Sequence, residues 1–143
     1  METSNTRWLV RDKRQLLSAI LEGLAGNAHI SFEDNLSALR LSGISGASEA
    51  ETAVLKRGTV WPKQDFVVFP LEPSVAKEIL QSLGPSVPKS ILHIQVEKAG
   101  VLEFAAYDSF HPDCLYLGKA VTENVLESLL SQGVLAPVAR GRD

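Results

Sequence analysis

Two runs in the second half of the chain alternate between apolar and polar residues and meet at a short turn. The first, residues 92–97, is LHIQVE, and the second, residues 102–107, is LEFAAY, with Ala99 and Gly100 between them. A period of two is typical of a half-buried antiparallel hairpin, because successive side chains of a strand point to opposite faces. The aliphatic set is expected on a core face. The other face is expected to meet water or a partner, and it carries His93, Gln95, Glu97, Glu103 and Tyr107.

Three segments have the apolar spacing of three and four residues that predicts an amphipathic helix. They cover residues 12–26, 73–83 and 121–133. Asp12 is suited to cap the first helix, and a glycine follows or closes each segment, as is common where helices end. We therefore expect three helices, each with one apolar face.

Short strands are predicted at residues 28–33, 36–41, 64–71, 114–117 and 134–138. The run FVVF within 64–71 is nearly continuous in apolar residues, which favours a central strand buried on both faces. Residues 8–10 fit either a short strand or a hydrophobic anchor for the first helix, and the small, polar residues 42–51 indicate a loop. The order of the predicted helices and strands along the chain indicates one α+β domain over residues 1–143, with about three amphipathic helices packed against a mostly antiparallel sheet.

Composition narrows the class of protein. The chain has 143 residues, 45% hydrophobic and 22% charged, which is ordinary for a globular domain. It has no apolar stretch long enough to span a bilayer and no apolar core of a secretory signal near its start, so the expected location is the cytoplasm. Its formal net charge is −3 and no Lys/Arg run exceeds a pair, which argues against direct binding of nucleic acid.

The segment DSFHPDC, residues 108–114, holds four side chains of types that bind zinc: Asp108, His111, Asp113 and Cys114. It lacks the paired Cys or His spacing of a structural zinc site, so His29 or His93 would have to complete the shell. The alternative interpretation is a turn between strands, with Cys114 as a small buried hydrophobe. A nucleophilic pair of Cys114 with a histidine is the less specific pattern, and we predict no catalytic residue, metal or cofactor.

The charge pattern points instead to binding. Residues 97–127 carry six acidic side chains against two lysines, together with aromatic residues of the kind that anchor protein interfaces. Complementary potentials speed the encounter with a basic partner. The predicted partner-binding surface consists of Glu97, Glu103, Tyr107, Asp108, Phe110, His111, Asp113 and Tyr116.

Three stretches carry a resemblance to a known class: ISFEDNL at 30–36, DFVVFPLEP at 65–73 and HIQVEKAGVLEFAAYDSFHPDC at 93–114. With its size, they make the chain similar to the small cytoplasmic immunity proteins that neutralise polymorphic toxins, including those of contact-dependent growth inhibition. The resemblance implies a non-enzymatic inhibitor that binds one cognate toxin, often a basic nuclease, and occludes its active site. The alternatives are a small metal-dependent hydrolase using Asp108, His111 and Asp113, and a homodimeric regulatory or adaptor module.

Overall fold

The computed structural model describes residues 7–34, 44, 46–59, 61, 63–87, 91, 93–107 and 109–138, and of residue 113 the backbone only. The elements in chain order are β1 (Arg7–Val10), α1 (Lys13–Leu24), β2 (Ala28–Asp34), β3 (Asp65–Pro70), α2 (Pro73–Leu83), β4 (His93–Lys98), β5 (Val101–Ala106), a 3-10 turn (Pro112–Cys114), β6 (Leu115–Leu117), α3 (Glu123–Ser131) and β7 (Leu135–Val138).

Within these residues the strands form a five-stranded antiparallel sheet in the order β3-β2-β4-β5-β6 and a two-stranded antiparallel sheet of β1 and β7. The α+β class predicted from the sequence is confirmed. Residues 8–10 belong to β1, so the open choice at this position is decided in favour of a strand. The strand predicted at residues 36–41 lies outside the described residues.

The ends of the helices are set by capping residues. The Asp12 carboxylate accepts a hydrogen bond from the Gln15 amide at 2.9 Å, and Thr122 caps α3 by accepting from the Val125 amide at 3.3 Å. At the end of α2, Gly84 adopts a φ of 81°, which a residue with a Cβ rarely adopts. Asp12 and Thr122 satisfy amide groups that the first turn of each helix leaves without partners.

The main core lies between the helices and one face of the large sheet. Its sheet side includes alternate residues of β2, β4 and β5 that have essentially no exposed surface: Ile30, Phe32, Ile94, Val96 and Phe104. Burying one such side chain stabilises the fold by about 1.5–3 kcal/mol. The period-two pattern therefore identified this face correctly for Ile94, Val96, Phe104 and Ala106.

The prediction that residues 64–71 form a central strand is wrong, because β3 is the edge strand of its sheet. Its Val67 and Phe69 pack in the main core, while Phe66 and Val68 pack in a second cluster on the opposite face. The outer edge is partly covered, since Ser48 exchanges two backbone hydrogen bonds with Val68, at 2.9 and 2.7 Å. Burial on both faces produced the apolar run, and it does not require a strand on both sides.

The β4–β5 hairpin is confirmed, with Ala99 and Gly100 at positive φ in its turn. Its register shifts by one residue, however, because Val96 pairs with Phe104 while Glu97 pairs with Leu102. Glu103 is the extra residue of this β-bulge. Leu102 was expected on the core face but packs against the second cluster, because the bulge reverses its direction.

Candidate functional site

The second face of the sheet does not meet water as the sequence pattern predicted. His93, Gln95 and Glu97 are only 6%, 3% and 7% exposed. Residues 54–59, here called the strap, cross this face and contact His93 and Gln95. Glu97 lies further along β4 and contacts His29 and the hairpin turn. Leu55 is the apolar anchor of the strap and has no exposed surface.

Polar side chains of the sheet hold the strap in place. The Glu33 carboxylate accepts hydrogen bonds from the amides of Gly58 at 2.6 Å and Thr59 at 3.2 Å. Gln95 Nε2 donates to the Lys56 carbonyl at 2.5 Å, and Thr59 Oγ1 lies 3.0 Å from His93 Nε2. Buried polar groups are tolerated when each finds a partner, so these contacts explain how a polar sheet face is buried.

The strap passes so close to the sheet that a residue with a Cβ at position 58 would press against the His93 ring. A Cβ there would lie 3.0 Å from His93 Cδ2 and 3.1 Å from Nε2. Contacts this short would force the imidazole or the strap to move. Glycine at position 58 therefore allows the strap to approach β4 closely.

A cleft of about 630 Å³ opens between the strap and strands β4 and β5. It is lined by Val54, Lys56, Arg57, Gly58, Thr59, His93, Gln95, Leu102, Tyr107 and Cys114. The rings of His93 and Tyr107 meet edge to face with centroids 5.2 Å apart. The Tyr107 hydroxyl donates to Gln95 Oε1 at 3.4 Å, longer than the usual O–H···O distance, so this donor is weakly engaged. The volume falls in the range of small-ligand pockets.

Burial and, to a smaller extent, the negative charge of Glu33 raise the pKa of Tyr107 above its usual 10. We expect the phenol of Tyr107 to ionise at higher pH in the folded protein than in the unfolded chain. The Tyr116→Phe variant leaves Tyr107 as the single tyrosine, so phenolate absorbance during alkaline titration, without and with urea, measures both pKa values.

The sign of the effect on stability follows. A raised pKa in the folded state means that the unfolded chain loses its proton first, so the contribution of Tyr107 is present below about pH 10 and is lost as pH rises through the folded pKa. Adding Glu33→Gln should lower the folded pKa of Tyr107. Equal midpoints with and without urea would contradict the burial of this side chain.

Two members of the predicted partner-binding surface are not at the surface, which corrects that prediction. Phe110 is 5% exposed, with the Lys13 ammonium 5.5 Å from its ring centroid. Glu97 is also buried: its Oε2 lies 2.7 Å from His29 Nδ1, and its Oε1 accepts from the Gly100 amide at 2.8 Å. Its carboxylate therefore contacts the turn of the hairpin and the neighbouring strand β2.

Glu103 is half-buried, and its Oε1 accepts from the Ala120 amide at 3.0 Å. The register pairs Glu97 with Leu102, so Glu97 and Glu103 do not lie opposite one another in the hairpin. The acidic face predicted from composition is therefore not continuous along this hairpin.

The remaining members of the predicted surface are spread over the β5–β6 end of the sheet. Tyr107 lines the cleft, His111 is exposed in the connection, and Tyr116 is 45% exposed on β6. Asp108 and the side chain of Asp113 lie outside the described residues. Among the residues that are described, no three His, Cys, Asp or Glu side chains form a group that could hold a metal ion.

Sequence reasoning missed Glu33, Lys56 and Thr59. The strap has no periodic pattern, so nothing in its sequence indicated that it covers the sheet. Glu33 gave a usable signal, since it lies inside the strand-forming stretch ISFED, where a carboxylate is buried only when it is partnered.

No family model, curated protein or solved structure matches this chain. In the described part of the chain, no helix has both the length and the apolar composition that crossing a bilayer requires.

Proposed function

We propose that this protein is an immunity-type inhibitor, a binding protein that neutralises a cognate toxin by covering its active site. The cleft beside the strap receives a side chain of that toxin. The observation that carries the proposal is an open cleft whose floor is already held in position by buried, hydrogen-bonded side chains.

The floor of the cleft supports recognition because it is preorganised. His93 and Gln95 are almost fully buried, and each contacts the strap through a hydrogen bond. A site that is already ordered loses little conformational entropy when a partner binds. The weakly engaged hydroxyl of Tyr107 supplies a hydrogen-bond donor for the incoming group.

The charges around the cleft differ from those of the surface predicted from composition. Lys56 and Arg57 line it, and the Arg57 guanidinium is held by the Gln64 carbonyl and lies 5.1 Å from the Phe66 ring centroid. The side chain that enters the cleft is therefore expected to carry a carboxylate or an amide. A toxin that is basic overall still fits the formal net charge of −3.

The test immobilises the protein, captures proteins from a lysate of its native source under high-salt washing, and measures the affinity of the purified partner by calorimetry. We compare the wild type with Tyr107→Phe and Lys56→Glu, and use Lys77→Glu, an exposed position on α2, as the matched control. We expect one partner at one-to-one stoichiometry, unchanged binding in the control, and binding weaker by about 10-fold or more in the cleft variants.

A growth assay then separates an inhibitor from an ordinary binding protein. Expression of the captured partner alone should arrest growth, and co-expression of the wild type should restore it. A partner that is harmless, or whose toxicity persists on co-expression, would overturn the inhibitor function. Equal affinity of all four proteins would remove the cleft from the interface.

A further inference from the structure

One carboxylate at the end of the large sheet has a buried oxygen without a hydrogen-bond partner. Asp34, the last residue of β2, is only 9% exposed, and its Oδ2 atom is buried. Among the described residues, no hydrogen-bond donor contacts this oxygen. Such atoms are rare in folded proteins, because a carboxylate that leaves water without a new partner destabilises the fold. An ion or a water molecule is the usual partner of such a group.

A second carboxylate lies directly opposite Asp34. The β2–β3 register pairs Asp34 with Asp65, the first residue of β3, and Asp65 is exposed. Paired residues of neighbouring strands project their side chains from the same face of the sheet. This face is that of the main core, because Phe32 and Val67 form the preceding pair on it. The two carboxylates therefore lie together at the margin of the core.

The hydrogen bonds of β3 show how this pair is arranged. Val68 exchanges two backbone hydrogen bonds with Ser48 on the outer side, so its amide and carbonyl point away from β2. This direction alternates along a strand, so the amide and carbonyl of Asp65 point toward β2 and form a hydrogen-bonded pair with Asp34. The amides are thus directed into the ladder and away from the carboxylates. The Cβ atoms of such opposite residues are about 4.5–5.5 Å apart, close enough for both carboxylates to contact one ion.

We propose that Asp34 and Asp65 bind a divalent cation of the Mg²⁺ type, with water completing its coordination. Carboxylates directly opposite one another repel, and a cation between them removes this repulsion. Oxygen ligands select a hard ion, and Mg²⁺ is bound in proteins through one or two carboxylates while it keeps several waters. A carboxylate has about four lone-pair positions, so Asp65 can bind the ion together with its other contacts.

The arrangement of the two side chains favours an ion over a basic side chain of another protein. Such a side chain would have to reach Oδ2 of Asp34 from the surface, where this atom is not accessible. Asp65 is exposed and leaves room for the waters of the ion. The bound ion joins the edge strand β3 to β2. The pair lies on the core face and the cleft on the other face of the sheet, so the inference does not depend on the proposed function.

The test titrates the EDTA-treated, dialysed chain with Mn²⁺, a probe for Mg²⁺ sites, and measures the free ion by electron paramagnetic resonance. We expect one bound ion per chain with a dissociation constant on the order of 10⁻⁴ M, and displacement by Mg²⁺. Asp34→Asn and Asp65→Asn should each weaken binding at least about 10-fold, because each removes one of two charged ligands. Glu72→Gln is the matched control, since Glu72 is exposed and makes no side-chain cap at α2.

Urea denaturation gives a second measurement. An ion that binds only the folded chain stabilises it, so about 10 mM Mg²⁺ should shift the folding equilibrium about 100-fold in the wild type and in Glu72→Gln, but hardly in Asp34→Asn. Circular dichroism checks that each variant is folded, and the exposed position of Asp65 keeps the test decisive should Asp34→Asn fail to fold. A wild type that binds no Mn²⁺, binding that Mg²⁺ does not displace, or equal binding in the wild type and both aspartate variants would overturn the proposal.

Discussion

Replacing Phe32 with alanine should lower the free energy of unfolding by about 4 kcal/mol. Phe32 lies in β2 between β3 and β4, is fully buried against the helices, and meets the Phe69 ring edge to face at a centroid distance of 6.2 Å. The substitution removes the apolar area of one large ring and leaves a cavity that the neighbouring strands can fill only in part. Urea denaturation, followed by circular dichroism, measures the change.

Two control variants test whether the loss of stability comes from the buried position of Phe32. Phe32→Leu keeps most of the apolar volume and should cost about 1.5 kcal/mol or less. Trp61→Ala removes an even larger side chain, but Trp61 is 85% exposed, so the free energy of unfolding should change by less than about 0.5 kcal/mol. If Phe32→Ala cost no more than Trp61→Ala, the core would not lie where the structure places it.

The elements that could be predicted from sequence are those whose environment repeats with their own period. The helix α1 has its apolar residues on one face and its cap at Asp12, and both signals lie within a few neighbouring residues. The same is true of the β4–β5 hairpin, where alternation and the Ala99-Gly100 turn agree. Local agreement of pattern and turn is sufficient to place such elements.

What could not be predicted depends on residues distant in sequence. Alternation in β4 separates an apolar face from a polar one, but it does not reveal that the strap buries the polar face through Glu33 and Gln95. The bulge at Glu103 was equally hidden, because a leucine beside a glutamate fits either register. The alternation of residues along a strand shows which side chains share a face of the sheet. Whether that face is buried depends on which distant segment of the chain crosses it.

The candidate site also contains residues whose environment could not be predicted from their neighbours in sequence. Selecting Glu97 and Phe110 by local acidity and aromatic content assumed that these side chains are available at the surface. In the structure the Glu97 carboxylate binds His29 and the hairpin turn, and Phe110 lies beneath Lys13. Carboxylates next to tight turns often accept hydrogen bonds from nearby amides, so a count of charges overstates the charge free to attract a partner.

Removing the carboxylate of Glu33 should loosen the strap and lower the free energy of unfolding by about 3 kcal/mol in Glu33→Ala. Glu33 is 1% exposed, and its carboxylate accepts hydrogen bonds from two amides of the strap, those of Gly58 and Thr59. Hydrogen bonds to a charged group contribute more than neutral ones, and the two amides would lose their acceptor while still close to the sheet. Chemical denaturation gives the global effect, and amide hydrogen exchange at Gly58 and Thr59 gives the local one.

Three variants separate the loss of these hydrogen bonds from the loss of charge or volume. Glu33→Gln keeps an acceptor oxygen without the charge and should cost about half as much as Glu33→Ala. Gln95→Ala removes a neutral contact to the strap and should cost about 1 kcal/mol, while Glu127→Ala, an exposed position on α3, should change the free energy of unfolding by less than about 0.5 kcal/mol.

Faster exchange at Gly58 and Thr59, with little change in the main core, would show that the strap opens separately from the rest of the domain. The cleft would then change shape with the strap, because residues 54 and 56–59 line it. Unchanged exchange at both amides in Glu33→Ala would mean that Leu55 and the contacts of His93 and Gln95 hold the strap without Glu33. The preorganisation assigned to the cleft floor would then not depend on Glu33.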